Sequence, residues 1–155
     1  MPNHQEFLQQ ALQLAEDNLA DGGQPFGAVI VRDGEVLATG VNGTVRNQDP
    51  TSHSEIEAIR SACRSLRTPR LDGAVIYASG YPCAMCMSAI LLTGIDTVFY
   101  AYGEEDGARH GLATEPVYQV LRRLPESEGL TLRPLPVALP DEHLYARWQA
   151  ACGAS

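Results

Sequence analysis

The sequence predicts an α/β fold, one sheet covered by helices on both faces in a three-layer αβα sandwich. Three observations predict it. The 155 residues, 45% of them hydrophobic, suffice for one buried core and are too few for two ordinary domains, so a single domain over 1–155 is expected. After an opening helix and hairpin, strand-like runs alternate with helical ones, which implies a sheet with helices on both sides. One of the helical runs is apolar nearly all round and has to be covered on more than one side.

Asn3 followed by Glu6 is an N-terminal cap signal, and Phe7, Leu8, Ala11, Leu12, Ala15 and Leu19 recur at helical spacing until Asp21-Gly22-Gly23 stops them. Phe26 to Arg32 and Glu35 to Val41 read as strands joined by Asp33-Gly34, a two-residue hairpin signal, and should pair antiparallel. From His53 to Leu66 the apolar residues Ile56, Ile59, Cys63 and Leu66 step by three and four, with Arg60, Arg64 and Arg67 turned away, so this is a second helix with Cys63 in its core stripe. Ala74 to Ser79 is a strand of the buried type. Cys83 to Thr93 is the apolar helix, opened by Pro82 and closed at Gly94. Its outer face, with Met87 and Leu91, suggests a subunit contact. Thr97 to Ala101 reads as a strand, Val117 to Leu124 as a helix, Leu130 to Leu132 as a short strand and Asp141 to Ala151 as a final helix, with proline-rich linkers around the last pieces.

Composition narrows the function classes. No run of about 18 apolar residues exists, and Met1 to Gln10 is polar, so neither a membrane span nor a secretory signal is expected and the protein should be soluble and cytoplasmic. In that compartment four cysteines stay reduced and can bind metal. A net charge of -8 repels a phosphate backbone and favours a small neutral or cationic substrate.

Two short strings carry the chemistry: His53-Ser54-Glu55 and Pro82-Cys83-Ala84-Met85-Cys86. They supply one imidazole, two thiols and a carboxylate, which is what a catalytic zinc needs to keep three protein ligands, an open position for water and a proton carrier nearby. Cys83 and Cys86 lie one turn apart at a helix start, whose dipole favours the thiolate. His53 opens the other helix and would approach from the opposite side. Zinc can lower the pKa of bound water from about 15.7 to about 7, roughly 12 kcal/mol in favour of hydroxide. Glu55 would shuttle the proton to a ring nitrogen and on to the departing amine. Each part has a plainer reading: Ser52-x-x-Glu55 is also a capping box, a lone CxxC is also a redox pair, and a lone core histidine is often structural. Their combination points to a zinc deaminase. Cys63 in a core stripe and Cys152 in the tail are poor fourth ligands, which argues against a purely structural zinc.

At these residues, from about Pro25 to Tyr102, the sequence resembles the cytidine deaminase superfamily of zinc-dependent aminohydrolases. Pro25-Phe26-Gly27-Ala28-Val29-Ile30-Val31, His53-Ser54-Glu55-Ile56-Glu57-Ala58-Ile59-Arg60 and Pro82-Cys83-Ala84-Met85-Cys86-Met87-Ser88-Ala89-Ile90 resemble its branch of small bacterial guanine deaminases and related free-base deaminases. The resemblance implies a five-stranded mixed sheet, zinc held by His53, Cys83 and Cys86, and Glu55 as proton shuttle. It also implies that Asn42 hydrogen-bonds the substrate base and Phe26 stacks on it, while main-chain groups of Ala28, Ser54 and Tyr81 complete the pocket. Taken by themselves, Asn42-Gly43 is also a turn pair and Phe26 an ordinary strand residue. Such enzymes are homodimers that exchange their C-terminal segments, here about 125–155, and close the site with a terminal aromatic. This sequence departs from them in three places: Tyr81 replaces a serine or glutamate, Leu112-Ala113-Thr114 stands where they carry paired aspartates that read the purine edge, and Cys152-Gly153-Ala154-Ser155 lacks the aromatic. Tyr145 and Trp148 could serve as a lid or pack as core, and His110 and Glu142 are further candidates for substrate contact.

The expected reaction is hydrolytic deamination of a free nucleobase or base-like ring: guanine, cytosine or an s-triazine such as ammeline. Two other readings stand beside it. Adenosine deamination in transfer RNA would need a basic track, for which Arg60, Arg64, Arg67 and Arg70 are the one cluster. A non-catalytic, zinc-stabilised binding module would need no Glu55.

Overall fold

The computed structural model describes residues 3–124, 126 and 128–153; Met1 and the terminal Ala154-Ser155 named above lie outside them. The chain divides into two compact units, Met1–Arg122 and Arg123–Ser155.

In the first unit the order is α1 (His4–Ala20), β1 (Gly27–Arg32), β2 (Glu35–Val41), α2 (Thr44–Asn47), α3 (Ser54–Leu66), β3 (Val75–Gly80), α4 (Ala84–Thr93), β4 (Thr97–Tyr102), α5 (Glu104–Arg109) and α6 (Glu115–Arg122). Asn3 caps α1, its side-chain oxygen accepting the Glu6 N–H at 3.2 Å. Asp33 and Gly34 both take positive φ, 54° and 80°, the conformation a tight type I′ hairpin requires. The sheet is mixed, with order β2-β1-β3-β4. β1 pairs antiparallel with β2 and with β3, and β3 pairs parallel with β4, a pairing that needs the helical crossover α4 supplies.

Helices cover both faces. On one, Ala11 of α1 packs with Val29, Val31 and Tyr77. On the other, Ala58 and Ala62 of α3 and Ile90 of α4 pack with Ala28, Ile30, Ala38 and Ile76. A Cβ at Gly40 would strike the Ser54 carbonyl oxygen and sit 2.5 Å from the Ala58 amide nitrogen, so β2 and α3 approach as closely as backbones allow. That approach selects small residues. The contact face of α3 is therefore built on Ala58 and Ala62, while Ile59 and Cys63 are half-buried and Leu66 is exposed.

The second unit contains α7 (Leu144–Gly153) and, before it, irregular chain. Leu130–Leu132 forms no strand. Among the described residues the sheet has four strands rather than the five expected. Pro134 and Pro136 follow that run directly and lack the N–H a ladder needs. No helix among the described residues is long and apolar enough to cross a membrane.

Candidate active site

Two helix starts meet at the carboxyl end of β3. His53 is the N-cap residue of α3, in extended backbone at φ -79° and ψ 156°, and its side chain makes no capping bond. The ring is thus free to face another element. The loop before it is tied down: Asp49 Oδ1 accepts from the Thr51 N–H and Oγ1 at 2.8 and 2.7 Å, and the Gly43 N–H donates to the Ser52 carbonyl at 2.8 Å. Ser52, wholly buried, donates to Glu57 Oε1 at 2.8 Å, and Arg60 donates to the same oxygen at 2.9 Å. Ser52 therefore makes no capping box with Glu55. The Glu55 carboxylate is left to point into the site.

The other start follows the buried Pro82. Cys83 is the N-cap residue of α4 and Cys86 lies one turn on. Each sulfur is 3.5 Å from His53 Nδ1. Among the described residues these three form a single group of possible metal ligands, with all ligand atoms within 4.8 Å of one another. A tetrahedral zinc with bonds of about 2.3 Å to sulfur and about 2.05 Å to nitrogen would set each sulfur about 3.6 Å from the nitrogen. The donor set fits the ion in chemistry and in size.

Glu55 is 7% exposed. Its Oε2 accepts from Ser54 Oγ at 3.0 Å and lies 3.5 Å from Cys86 Sγ. Burial pushes the carboxyl above its ordinary range. In the metal-free cluster the Cys86 thiol donates to Cys83 and, with His53, pulls Cys83 down to about 4 against the effect of burial. Cys86 is pushed up, first because its proton serves Cys83 and then by burial. His53 is raised, chiefly by its hydrogen bond to Cys83. The lowered Cys83 thiol offers a thiolate to a cation, and binding one would release the protons held by the other ligands.

A cavity of about 350 Å³ opens beside these groups, with Phe26, Asn42, Ser54, Tyr81 and Thr114 among its walls. A second, of about 440 Å³, adjoins it and shares Phe26, Tyr81, Leu112 and Thr114. Of the residues the sequence singled out, Asn42, Phe26, Ser54 and Tyr81 thus line the first cavity with His53, Glu55 and Cys83. Ala28 does not: it is wholly buried, in a strand paired on both sides, so its N–H and C=O belong to the sheet interior. His110 lines only the second cavity. In the second unit Tyr145 and Trp148 are exposed and Glu142 pairs with Arg147 at 4.0 Å.

Thr114, in the segment after Gly111 where the sequence departs from the paired aspartates, is also in the walls; sequence reasoning missed Gln24 there, and it missed the anchor of α6, where Tyr118 Oη donates to the Pro82 carbonyl at 2.8 Å. Burial pushes that phenol up to about 12. Gln24 carried no signal beyond its place between the turn and β1, and the contact of Tyr118 across the fold leaves no local pattern to read.

Residues 1–102 match the family model described as the cytidine and deoxycytidylate deaminase zinc-binding region. The guanine deaminase of Bacillus subtilis is 41% identical over 129 residues, 83% of this chain and 83% of that protein. A crystal structure of guanine deaminase from Bacillus subtilis has the same fold, with a TM-score of 0.86 at 37% identity over 97% of this chain and 94% of that one. The tRNA-specific adenosine deaminase of Aquifex aeolicus is 39% identical over 95 residues, 61% of this chain and 63% of that protein.

Proposed function

Because the chain belongs to the zinc-binding cytidine and deoxycytidylate deaminase family, we propose that it removes an exocyclic amino group from a free nucleobase or base-like aminated ring by hydrolysis, with guanine the first substrate to test. The observation that carries the reading is the buried Glu55 carboxyl set against three clustered ligand atoms, at a cavity sized for a single small ring. Similarity to a guanine deaminase over most of both chains supports the choice of base.

His53, Cys83 and Cys86 would hold the zinc. Bound there, it supplies the Lewis acidity that makes water a nucleophile at neutral pH. Glu55 does the proton work. Its apolar burial favours the protonated form, so it can keep a proton taken from water, give it to a ring nitrogen, and move a second one to the amine. The ring carbon gains a C–O bond from water and loses its C–N bond, giving the carbonyl tautomer and ammonia. Phe26 offers a face for stacking and Asn42 a hydrogen bond that orients the ring. The same reading includes a homodimer, to which the exposed Leu91 and Leu92 of α4 lend support, with exchange of about 125–155 between its subunits. Sedimentation equilibrium tests the dimer.

The similarity to an adenosine deaminase of transfer RNA keeps a second substrate in view. Against it stand the net charge of -8 and the engagement of Arg60 and Arg70 with Glu57 and Asp72. An ammonia-release screen of the zinc-loaded protein over free bases, nucleosides, triazines and a transfer RNA anticodon stem decides between them. Release from free bases is expected; release from nucleosides or RNA alone would overturn the free-base reading.

A further inference from the structure

Beside the metal-side cavity of about 350 Å³ lies the second, of about 440 Å³, and the two share Phe26, Tyr81, Leu112 and Thr114. A ring held over the metal ligands would have open space along one edge, and a substituent carried on that edge would enter the second cavity. Aromatic faces dominate that space. Phe26, Tyr81 and Tyr102 line it, and a Cβ at Gly80 would stand 3.3 Å from the Phe26 ring, so the glycine leaves that ring its place in both walls.

The charged and imidazole groups in this second cavity offer acceptors. Glu104 Oε1 accepts the Thr114 hydroxyl proton at 2.8 Å, while its other oxygen has no partner and the carboxylate no ion pair among the described residues. Asp106 is already occupied: Oδ2 accepts the Gly103 N–H at 2.9 Å and Oδ1 pairs with Arg109 at 2.9 Å. His110 Nδ1 donates to the Asp106 carbonyl at 2.9 Å, because a carbonyl only accepts, and this leaves Nε2 an acceptor in the neutral ring. Among the described residues no arginine or lysine lines the cavity. A carboxylate without a counter-charge, set among π-faces, attracts a cation, and the net charge of -8 draws the same kind of ligand from solution. We infer that the second cavity is a subsite for a protonated amine on a short arm of the substrate, with Glu104 its counter-charge and Tyr81 and Tyr102 the aromatic faces beside it. This rests on the deaminase reading above and narrows it, among base-like aminated rings, to those that bear a basic substituent away from the reacting carbon.

The test is equilibrium binding to the zinc-loaded Glu55→Ala protein of 7- and 9-aminopropylguanine, each against the butylguanine of the same attachment and length, with guanine itself as reference. Both attachment points lie on the imidazole edge of guanine, away from the exocyclic amine, so an arm there leaves the reacting carbon clear. In at least one pair the amine is expected to bind roughly 5- to 100-fold more tightly than its neutral partner, the range for a hydrogen-bonded charge flanked by aromatic faces. Glu104→Gln, which keeps an acceptor for Thr114 and removes the charge, should bring that preference to within about threefold. Tyr102→Leu should reduce it, and Tyr102→Phe, which keeps the ring face, should not. Equal binding within both pairs overturns the subsite, as does failure of every arm-bearing ring to bind where guanine binds; a preference that survives Glu104→Gln overturns the role of Glu104. Propylammonium that tightens the binding of guanine to the same degree would make the cation a separate ligand and overturn the arm. Ammonia release measured in parallel with Glu55 intact separates the two levels. A Glu104-dependent preference for the amine without ammonia from any ring would remove the deaminase reading and leave the subsite standing, and ammonia without such a preference would do the reverse. A protein that binds none of these rings overturns both.

Discussion

On the mechanism proposed above, Glu55 is placed for chemistry at a cost to stability. It occupies a wholly packed position where a neutral side chain would sit more comfortably. Glu55→Ala is expected to keep its zinc and its fold and to lose ammonia release by about 10²- to 10⁴-fold or more, the contribution of a positioned general acid–base. Zinc content, circular dichroism and an ammonia assay on one preparation check this, and an active variant would take Glu55 out of the mechanism. The raised carboxyl has a consequence for pH as well. Folded and unfolded forms are both protonated well below the ordinary carboxylate value, so there the group is neutral to stability. As pH rises from that value through the raised one, the unfolded chain ionises first and native stability falls. Metal-free Glu55→Gln protein should therefore be more stable than its parent at neutral pH by roughly 0.5–2 kcal/mol, with the two melting curves converging below about pH 4. A gap that does not change with pH would assign the difference to packing instead.

At the scale of elements, the close seat of α3 on β2 sets the position of the imidazole. Gly40 faces the Ser54 carbonyl and the Ala58 nitrogen, in the turn that begins directly after His53. Gly40→Ala is expected to cost about 1–3 kcal/mol, as overpacking does when backbone has to give way, and to weaken zinc binding because α3 must shift. Denaturant unfolding and competition with a chromophoric chelator measure the two effects. This contact also shows what could be read in advance. Asp33-Gly34 and Pro82…Gly94 were legible because a turn or a helix boundary depends on neighbours in the chain, and the bounds of the hairpin and of α4 agree with the reading to within a residue. The buried stripe of α3 was read from Ile56, Ile59, Cys63 and Leu66, since periodicity weighs large apolar side chains. Ile56 is buried and Ile59 and Cys63 pack against the core, but Leu66 is exposed, and the stripe missed Ala58 and Ala62, of which Ala58 lies against a glycine on another strand. Leu130–Leu132 has strand-like residues, yet a strand exists only with a partner, and none is supplied there. α5 was missed because its acidic sequence, with Gly107 inside it, looks like a loop; the Gly103 N–H donating to Asp106 at 2.9 Å secures its start. In the site, the ligands and Glu55 were visible as spacing within two strings. Thr114 was visible only as a departure from the paired aspartates of the resemblance, and its bond to Glu104, ten residues away, was not visible at all.

Considered whole, the first unit is held at its active edge by side chains that come from separate helices, so metal should contribute to its stability. Zinc at 100 times its dissociation constant adds about 2.7 kcal/mol by mass action. Treatment with a strong chelator is expected to lower the melting temperature and to free the half-buried, lowered Cys83 thiol to a thiol reagent, with at least one more reactive sulfur per chain than in the zinc-loaded protein. An unchanged thiol count would place the ion elsewhere. The acidic surface makes a further expectation plain: at a net charge of -8, no gel shift of polynucleotides is expected at moderate salt.

The two duties of the site are carried on separable pieces of chain. His53, Glu55, Cys83 and Cys86 belong to the starts of α3 and α4, locked to the sheet, whereas Glu104, Thr114 and Tyr118 belong to the stretch after β4, attached near the metal side by the bond from Tyr118 to the Pro82 carbonyl and the ring contact of Tyr118 with Tyr81. A chimera that replaces residues 103–118 with the equivalent stretch of a relative should inherit the donor's substrate preference while keeping one zinc per chain.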